Sequence, residues 1–332
     1  MKGKYLQDKV TAGKFTLPVA VFITIACWVV TFILIPELPR ATNGSFLKEL
    51  IDSLNIPEWT NRLISLILCF MTGYFLIEFN NTFALIRIRA SVQTSIYLLF
   101  ITACPVIHLL YPGDIACVTF VISVFFLFKS YQHPNPTGYV FHSFVSLGLG
   151  SLIFPQLTLF APAFLLGVFF FQSLTIRSFF ASLIGWSIPY WFLFGYAFFH
   201  DKMDVFYQPF RELVTFQPID PGLLQFEELV TLGYFFVLYI VCSIHCFADS
   251  YKDKIRTRVF LRFLIFLNFL TFVFIVLQPG QATNLLPLLF IGISVLTGHF
   301  LVMTNGRASN LFFICATIGL ILLFTFNVWT LL

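Results

Sequence analysis

Charged residues are scarce in this chain of 332 residues, in which Asp, Glu, Lys and Arg together make up only 10%. Soluble globular domains carry about 25% charged residues, so this composition excludes an ordinary soluble domain. Hydrophobic residues instead reach 59%, and long apolar stretches recur along the chain. A stretch of about 20 apolar residues can cross a bilayer as a helix. The sequence therefore predicts an all-α, polytopic transmembrane helix bundle.

The chain also lacks a basic patch and a disulfide framework. Its net charge is +4, but the Lys and Arg residues are divided among short loops, which argues against a nucleic-acid partner. All seven cysteines lie in or beside apolar runs, where disulfides are not expected. The two thiols and one His of "CSIHC" (242–246) are interpreted as buried apolar residues, so no metal site is predicted and the cofactor stays unknown.

Eleven apolar segments are candidates for membrane spans. They run over residues 16–36, 61–79, 91–111, 115–130, 138–153, 156–173, 178–199, 229–247, 260–278, 284–303 and 309–331. The first is too long for the apolar core of a signal peptide, and we interpret it as an uncleaved span. The fourth, fifth and sixth are short, which allows a re-entrant or strongly tilted path. The whole chain, 1–332, is predicted to form a single membrane domain.

The distribution of basic residues predicts an orientation. With the N-terminus in the cytoplasm, 14 of the 19 Lys and Arg residues fall in inner segments and 5 in outer segments. Short cytoplasmic loops carry this excess of positive charge in membrane proteins. An odd number of spans then places the C-terminus outside, and the outer loops are 37–60 and 200–228.

The first outer loop contains the stretch "SFLKELIDSLNIPEW" (45–59). Ser45 is a suitable helix N-cap, apolar residues share one face, and Pro57 follows the end of the pattern. A short amphipathic helix lying in the membrane interface is therefore predicted after the first span.

The outer face also carries the candidate site residues. Glu37 follows the first span directly, Asp114 lies in the turn "YPGDIA", and His108 lies one turn earlier. In the second outer loop, Arg211 is placed to hold a phosphate and Tyr207 to dip to the interface. Carboxylates beside basic groups can deprotonate an acceptor, although solvated loop charges would explain the same residues.

Ionisable residues at membrane depth offer an alternative function. Glu78, His142, His245 and His299 all fall near the predicted cytoplasmic ends of spans. Together they could form the proton relay of a secondary transporter, or lie at the interface without a role. Two further signals concern packing. Asn268 is interpreted as an interhelical hydrogen-bond donor, and the small residues of "SLGLGS" (146–151) predict a close helix contact.

The succession "NNTFALIRIRASVQTSIYLLF", "FHSFVSLGLGSLIFPQLTLFAPAFLLG" and "SLIGWSIPYWFLFGYAFFHD" resembles an uncharacterised family of polytopic inner-membrane proteins of Bacteroidetes. The layout is also similar, more weakly, to polyprenyl-phosphate-dependent glycosyltransferases of the GT-C type. That likeness implies an acidic catalytic residue in the first outer loop, at Glu37, Glu49 or Asp52, with Asp114 as a second acidic position. The paired acidic signature of those enzymes is absent here.

These observations predict a multi-pass protein of the bacterial inner membrane and cell envelope. The function expected from the resemblance is the handling of a lipid-linked glycan, with membrane lipids and a polyprenyl-phosphate-linked saccharide as partners. Catalysis would then use Glu37, Asp52 and Asp114, and substrate would contact His108, Tyr207 and Arg211. A secondary transporter and a non-enzymatic scaffold subunit stay open as alternatives, and protein partners are unknown.

Overall fold

The computed structural model describes residues 5–36, 57–86, 91–214 and 224–332. Within these ranges the chain forms thirteen α-helices and no β-strand, which confirms the all-α prediction. The helices are α1 (Leu6–Thr11), α2 (Thr16–Leu34), α3 (Glu58–Phe83), α4 (Val92–Thr102), α5 (Pro112–Lys129), α6 (Thr137–Ile153), α7 (Ala161–Phe170), α8 (Ile176–Phe199), α9 (Met203–Val214), α10 (Phe226–Ala248), α11 (Ile255–Leu277), α12 (Ala282–Met303) and α13 (Arg307–Leu331).

Eight of these helices are long and apolar enough to cross a membrane: α2, α3, α5, α8, α10, α11, α12 and α13. Three shorter apolar helical segments, Val92–Thr102, Thr137–Ile153 and Pro155–Phe170, correspond to the third, fifth and sixth predicted spans, and the count of eleven spans stays a prediction. The last of them begins with a 3₁₀ turn at Pro155–Phe160. The chain is therefore a multi-pass membrane protein by the length and composition of its helices.

Two predicted features of the loops have different outcomes. The amphipathic helix of the first outer loop lies outside the described residues. In the second outer loop, residues 203–214 form helix α9, where the sequence predicts only a loop. Its aromatic side chains pack on α8, with Phe210 against Tyr190 and Phe206 against Phe194, at ring-centroid distances of 5.2 and 5.4 Å.

The helices belong to two compact units. Among the described residues, 5–36, 58–86, 91–110 and 224–332 form unit 1, and Pro57 and 111–214 form unit 2. Unit 1 thus contains α1–α4 and α10–α13, and unit 2 contains α5–α9. The sequence predicts that the whole chain forms a single membrane domain. This stays a prediction, because two compact units are separate domains only if each folds alone.

In unit 1, side-chain contacts define two ends. At the α1 end, the side-chain amide of Gln7 donates to the carbonyls of Leu301 and Thr304 at 2.6 and 2.8 Å, and Arg256 donates to Phe83 at 3.3 Å. This end therefore gathers the start of the chain, the α12–α13 junction, the end of α3 and the start of α11.

The opposite end of unit 1, called the His108 end, gathers the other helix termini. Asn327 near the end of α13 donates to the carbonyl of Ala103 after α4 at 2.9 Å and to Thr231 of α10 at 3.2 Å. Thr283 at the start of α12 donates to the carboxylate of Glu228 in α10 at 3.0 Å. Successive helices of unit 1 therefore run alternately between the two ends.

Helix α12 forms the centre of unit 1. Its sequence is apolar around its whole circumference, as expected of a helix surrounded by others, and the segment is fully buried. Asn268 of α11 lies directly against Gly292 of α12, and a Cβ atom at Gly292 would overlap the Asn268 amide. The amide nitrogen of Asn268 makes no hydrogen bond, so its interpretation as an interhelical donor was wrong.

Unit 2 is packed through small residues. A Cβ atom at Gly148 of α6 would meet the backbone oxygen of Trp186 in α8 at 2.7 Å, and one at Gly185 of α8 would meet that of Phe141 at the same distance. The close helix contact predicted from "SLGLGS" is therefore confirmed. Hydroxyl groups complete the packing, since Ser123 donates to the backbone oxygen of Ser143 at 2.7 Å.

Candidate functional site

A buried polar cluster lies at the His108 end of unit 1. It consists of Trp28 from α2, Arg62 from the first turns of α3, and His108 from the 3₁₀ turn after α4. Pro105 lacks a backbone N–H and cannot continue α4, so the chain turns there and ends in His108. The hydroxyl of Ser65, one turn after Arg62, donates to the carbonyl of Ile107 at 3.2 Å and holds this turn against α3.

His108 is fully buried and stacks on Trp28. The ring centroids are 3.6 Å apart and the planes differ by 19°. Neither ring nitrogen makes a hydrogen bond, although the carbonyls of Ile101 and Thr102 lie nearby. In its neutral form the imidazole offers one donor and one acceptor.

Arg62 is only 3% exposed and lies beside this ring. Its Nη2 atom donates to the carbonyls of Ile35 and Pro36, at 2.5 and 2.9 Å, and so satisfies oxygens left over at the end of α2. Its Nε and Nη1 atoms are buried without a hydrogen-bond partner. Trp28 helps to fix α3, since its indole nitrogen donates to the Arg62 carbonyl at 3.3 Å.

The charge of Glu58, one turn earlier on α3, acts on this buried cation, and the Phe32 ring lies 5.3 Å from the guanidinium carbon, but neither gives Nε or Nη1 a hydrogen bond. Burying an ionised group costs several kcal/mol unless it is paired and hydrogen-bonded. Two guanidinium nitrogens in a planar fork are suited to bind a carboxylate or phosphate. The side-chain oxygen of neighbouring Asn61 is also buried without a partner and could accept from a hydroxyl group. The cluster can therefore bind an anion that also carries hydroxyl groups.

The other predicted site residues have different surroundings. Glu37 and Asp52 lie outside the described residues. Asp114 lies in unit 2, in the first turn of α5, where its carboxylate accepts from the backbone N–H of Tyr111 at 3.0 Å. That contact caps the helix and gives Asp114 a structural role at this position.

Tyr207 and Arg211 lie one turn apart on α9, also in unit 2. The Arg211 guanidinium is 3.3 Å from the carboxylate of Asp204, and the two side chains are 69% and 91% exposed. The described structure thus places His108 in unit 1 and Asp114, Tyr207 and Arg211 in unit 2.

The predicted relay residues are only partly grouped. At the α1 end of unit 1, His245 is 3.2 Å from Asp249, and His299 is 3.1 Å from Asp253. Glu78 is exposed and accepts a hydrogen bond from Thr82 on its own helix, and His142 belongs to unit 2.

Sequence reasoning missed the importance of two residues. Arg62 was counted only as an outer basic residue, although a lone Arg near the start of an apolar span is itself a signal for a functional charge. Cys246 was dismissed with the other cysteines, yet its sulfur lies beside His299, 3.8 Å from Nδ1.

No model of a known protein family matches the chain, and neither a curated protein nor a solved structure shows significant similarity to it.

Proposed function

We propose that this multi-pass membrane protein binds the phosphate group of a lipid-linked saccharide at the His108 end of unit 1. The observation that carries the proposal is Arg62, a buried guanidinium whose Nε and Nη1 atoms have no hydrogen-bond partner. A phosphate oxygen at each of these atoms would complete the hydrogen bonds of the cation and neutralise its charge.

His108 supports the same ligand. In its neutral form the imidazole can donate one further hydrogen bond to a phosphate oxygen without adding a second buried positive charge. Its stacking on Trp28 fixes the ring in one orientation. The predicted substrate-binding role of His108 thus gains a partner in Arg62.

The lipid part of the ligand follows from the setting of the cluster. Its residues lie at the ends of apolar helices, where a phosphate attached to a long hydrocarbon chain would enter from the bilayer. A polyprenyl-phosphate-linked saccharide of the bacterial inner membrane has this chemistry, as the likeness to GT-C-type glycosyltransferases also implies. Glu37 is the next residue in the sequence after Pro36, whose carbonyl Arg62 holds, and is the proposed catalytic carboxylate, with Asp52 as the second candidate.

The test compares binding of a polyprenyl phosphate by purified variants in detergent. Arg62→Gln keeps a polar side chain but removes the charge and the fork. Because a charge-assisted hydrogen bond contributes about 1.5–3 kcal/mol, the affinity should fall by roughly 10- to 100-fold. Arg177→Gln, at an exposed arginine of unit 2, is the matched control and should bind normally.

Arg211→Gln tests the alternative that the phosphate binds at Arg211, as the sequence predicts. If Arg211→Gln loses binding and Arg62→Gln does not, the phosphate site belongs to α9. If neither variant changes the affinity, the protein does not use these arginines and the proposal is wrong. Lipid analysis of a deletion strain then identifies the saccharide, because the lipid-linked substrate should accumulate.

We further propose that all eleven apolar segments cross the membrane, with the N-terminus in the cytoplasm and the α1 end of unit 1 on that side. The excess of Lys and Arg in the predicted inner segments supports this orientation. A cysteine introduced at Lys202 should react with a membrane-impermeant maleimide added to intact cells, and one at Ser250 only after lysis. The reverse pattern would invert the proposed topology.

A further inference from the structure

A second group of reactive side chains lies at the α1 end of unit 1. The Cys246 sulfur in α10 is 3.8 Å from Nδ1 of His299 in α12, and the other ring nitrogen of His299 is 3.1 Å from the carboxylate of Asp253. This second contact has the distance of an ion pair, although the ring N–H is not aligned for a good hydrogen bond. Thiol, imidazole and carboxylate thus follow one another in the order that nucleophilic enzymes use.

The position of Asp253 determines which ring nitrogen of His299 carries the proton. The Asp253 carboxylate favours a proton on the near ring nitrogen of His299, which leaves Nδ1 as an acceptor for the Cys246 thiol. His299 can then take the thiol proton while Asp253 stabilises the imidazolium that forms.

Cys246 differs from the other cysteine of the same helix. Cys242 is 0% exposed, and its sulfur contacts the Thr297 hydroxyl at 3.6 Å, whereas Cys246 keeps 8% exposure and contacts a base. A neutral hydroxyl cannot activate a thiol in this way. Of the two, only Cys246 has its sulfur beside an imidazole that can accept the thiol proton.

The residues that follow Cys246 in the sequence suggest a substrate class. Phe247 at the end of α10 and Tyr251 in the 3₁₀ turn after it are exposed aromatic residues, and Lys254 and Arg256 around the start of α11 are exposed basic residues. A molecule with a hydrocarbon chain and a phosphate-rich carrier would contact both kinds of side chain. Acyl thioesters on a phosphate-bearing carrier, such as acyl-CoA, combine these properties with a carbonyl that a thiol can attack.

We propose that Cys246 is a nucleophile that accepts the acyl group of such a thioester. The Cys246 thiolate attacks the carbonyl carbon, a new carbon–sulfur bond forms to Cys246, and the bond to the carrier sulfur breaks. The carrier leaves as a thiol with the proton that His299 had taken from Cys246. The product is an S-acyl Cys246, and no oxidant or reductant is consumed.

The experiment incubates the purified full-length protein with a long-chain acyl-CoA that carries an alkyne tag, followed by peptide mass spectrometry. The label should be released by hydroxylamine, should lie on Cys246, and should form faster there than on Cys315. Cys315 is the exposed cysteine, so reactivity set by exposure alone would favour it. Label on Cys315 alone, or none, overturns the proposal. This comparison uses the wild-type protein and does not depend on a variant that folds.

Variants then test the roles of the three residues. Cys246→Ser should abolish the thioester, and Cys242→Ser should leave its rate unchanged. His299→Gln and Asp253→Asn should lower the rate by at least 10-fold while size-exclusion profiles stay normal, because a positioned base typically contributes about 10²- to 10⁴-fold. Unchanged rates in both folded variants would show that Cys246 reacts without the proposed base.

Discussion

The two units use their polar residues differently. Unit 1 buries groups that carry or can carry charge, namely Arg62, His108, Asp253 and His299. In unit 2 most buried polar side chains are hydroxyls, the buried carboxylate of Asp114 caps a helix, and the ion pair of Arg211 with Asp204 is exposed. Buried charge is costly and persists only where it is compensated or has a function. The difference separates unit 1, which buries several ionisable side chains, from unit 2, which is packed for close helix contact.

The largest expected change in the free energy of unfolding comes from breaking the buried pair of unit 1, His299 with Asp253. The exposed pair of unit 2, Arg211 with Asp204, is the comparison. Asp253→Ala removes the carboxylate that faces the imidazole of His299, where both side chains are almost fully buried. Because breaking a buried pair leaves a polar group without its partner, unfolding should require about 3–5 kcal/mol less free energy. Denaturation of the purified protein in detergent measures the change.

The control is Asp204→Ala, which removes one partner of the exposed pair in unit 2. Exposed ion pairs are screened by solvent, so the expected change is within about 0.5 kcal/mol. Equal effects of the two substitutions would contradict the distinction between the units.

A smaller effect is expected from the glycine contact of unit 2. Gly148→Ala places a Cβ atom 2.7 Å from the Trp186 backbone oxygen, which cannot move aside as a flexible side chain could. Such overpacking costs about 1–3 kcal/mol. Gly195 in α8 has nothing within 4 Å of an added Cβ atom. Gly195→Ala should therefore stabilise its helix by about 0.5–1 kcal/mol, as expected for Ala in a helix interior. Thermal unfolding of both variants checks the opposite signs, and two losses of equal size would argue against a specific contact at Gly148.

The smallest effect is expected for His108→Gln in unit 1, which keeps a polar side chain and loses mainly the stacking on Trp28. Because an aromatic pair contributes about 0.5–1.5 kcal/mol beyond the burial of its area, the free energy of unfolding should fall by about that amount.

Melting temperatures of the purified protein in detergent provide the readout. His108→Gln should melt below wild type, whereas His200→Gln, at an exposed histidine of unit 2, should follow wild type. Equal melting temperatures for the two variants would show that the stacking on Trp28 contributes no stability.

The sequence predicted some features of these sites well and others poorly. His108 was named as a binding residue from its place near the outer end of a span. Its partners were not, because Arg62 lies 46 positions earlier and Trp28 lies on another helix. Asp114 was predicted to act on substrate, and this stays a prediction, while in the structure its carboxylate caps a helix two residues after Pro112. A capping carboxylate and a catalytic one have the same local sequence, since both need a short acidic side chain in a turn.

Hydropathy by itself determined that the chain is helical and crosses a membrane many times. Each helix must satisfy its own backbone in the bilayer, and that requirement is local and can be read along the sequence. Which polar side chains meet was decided only by the tertiary structure. Cys246 and His299 are 53 positions apart, and Arg62 reaches the carbonyl of Ile35 27 positions away. These contacts depend on the rotation and packing of whole helices, and the apolar residues that set this rotation are nearly uniform along each span.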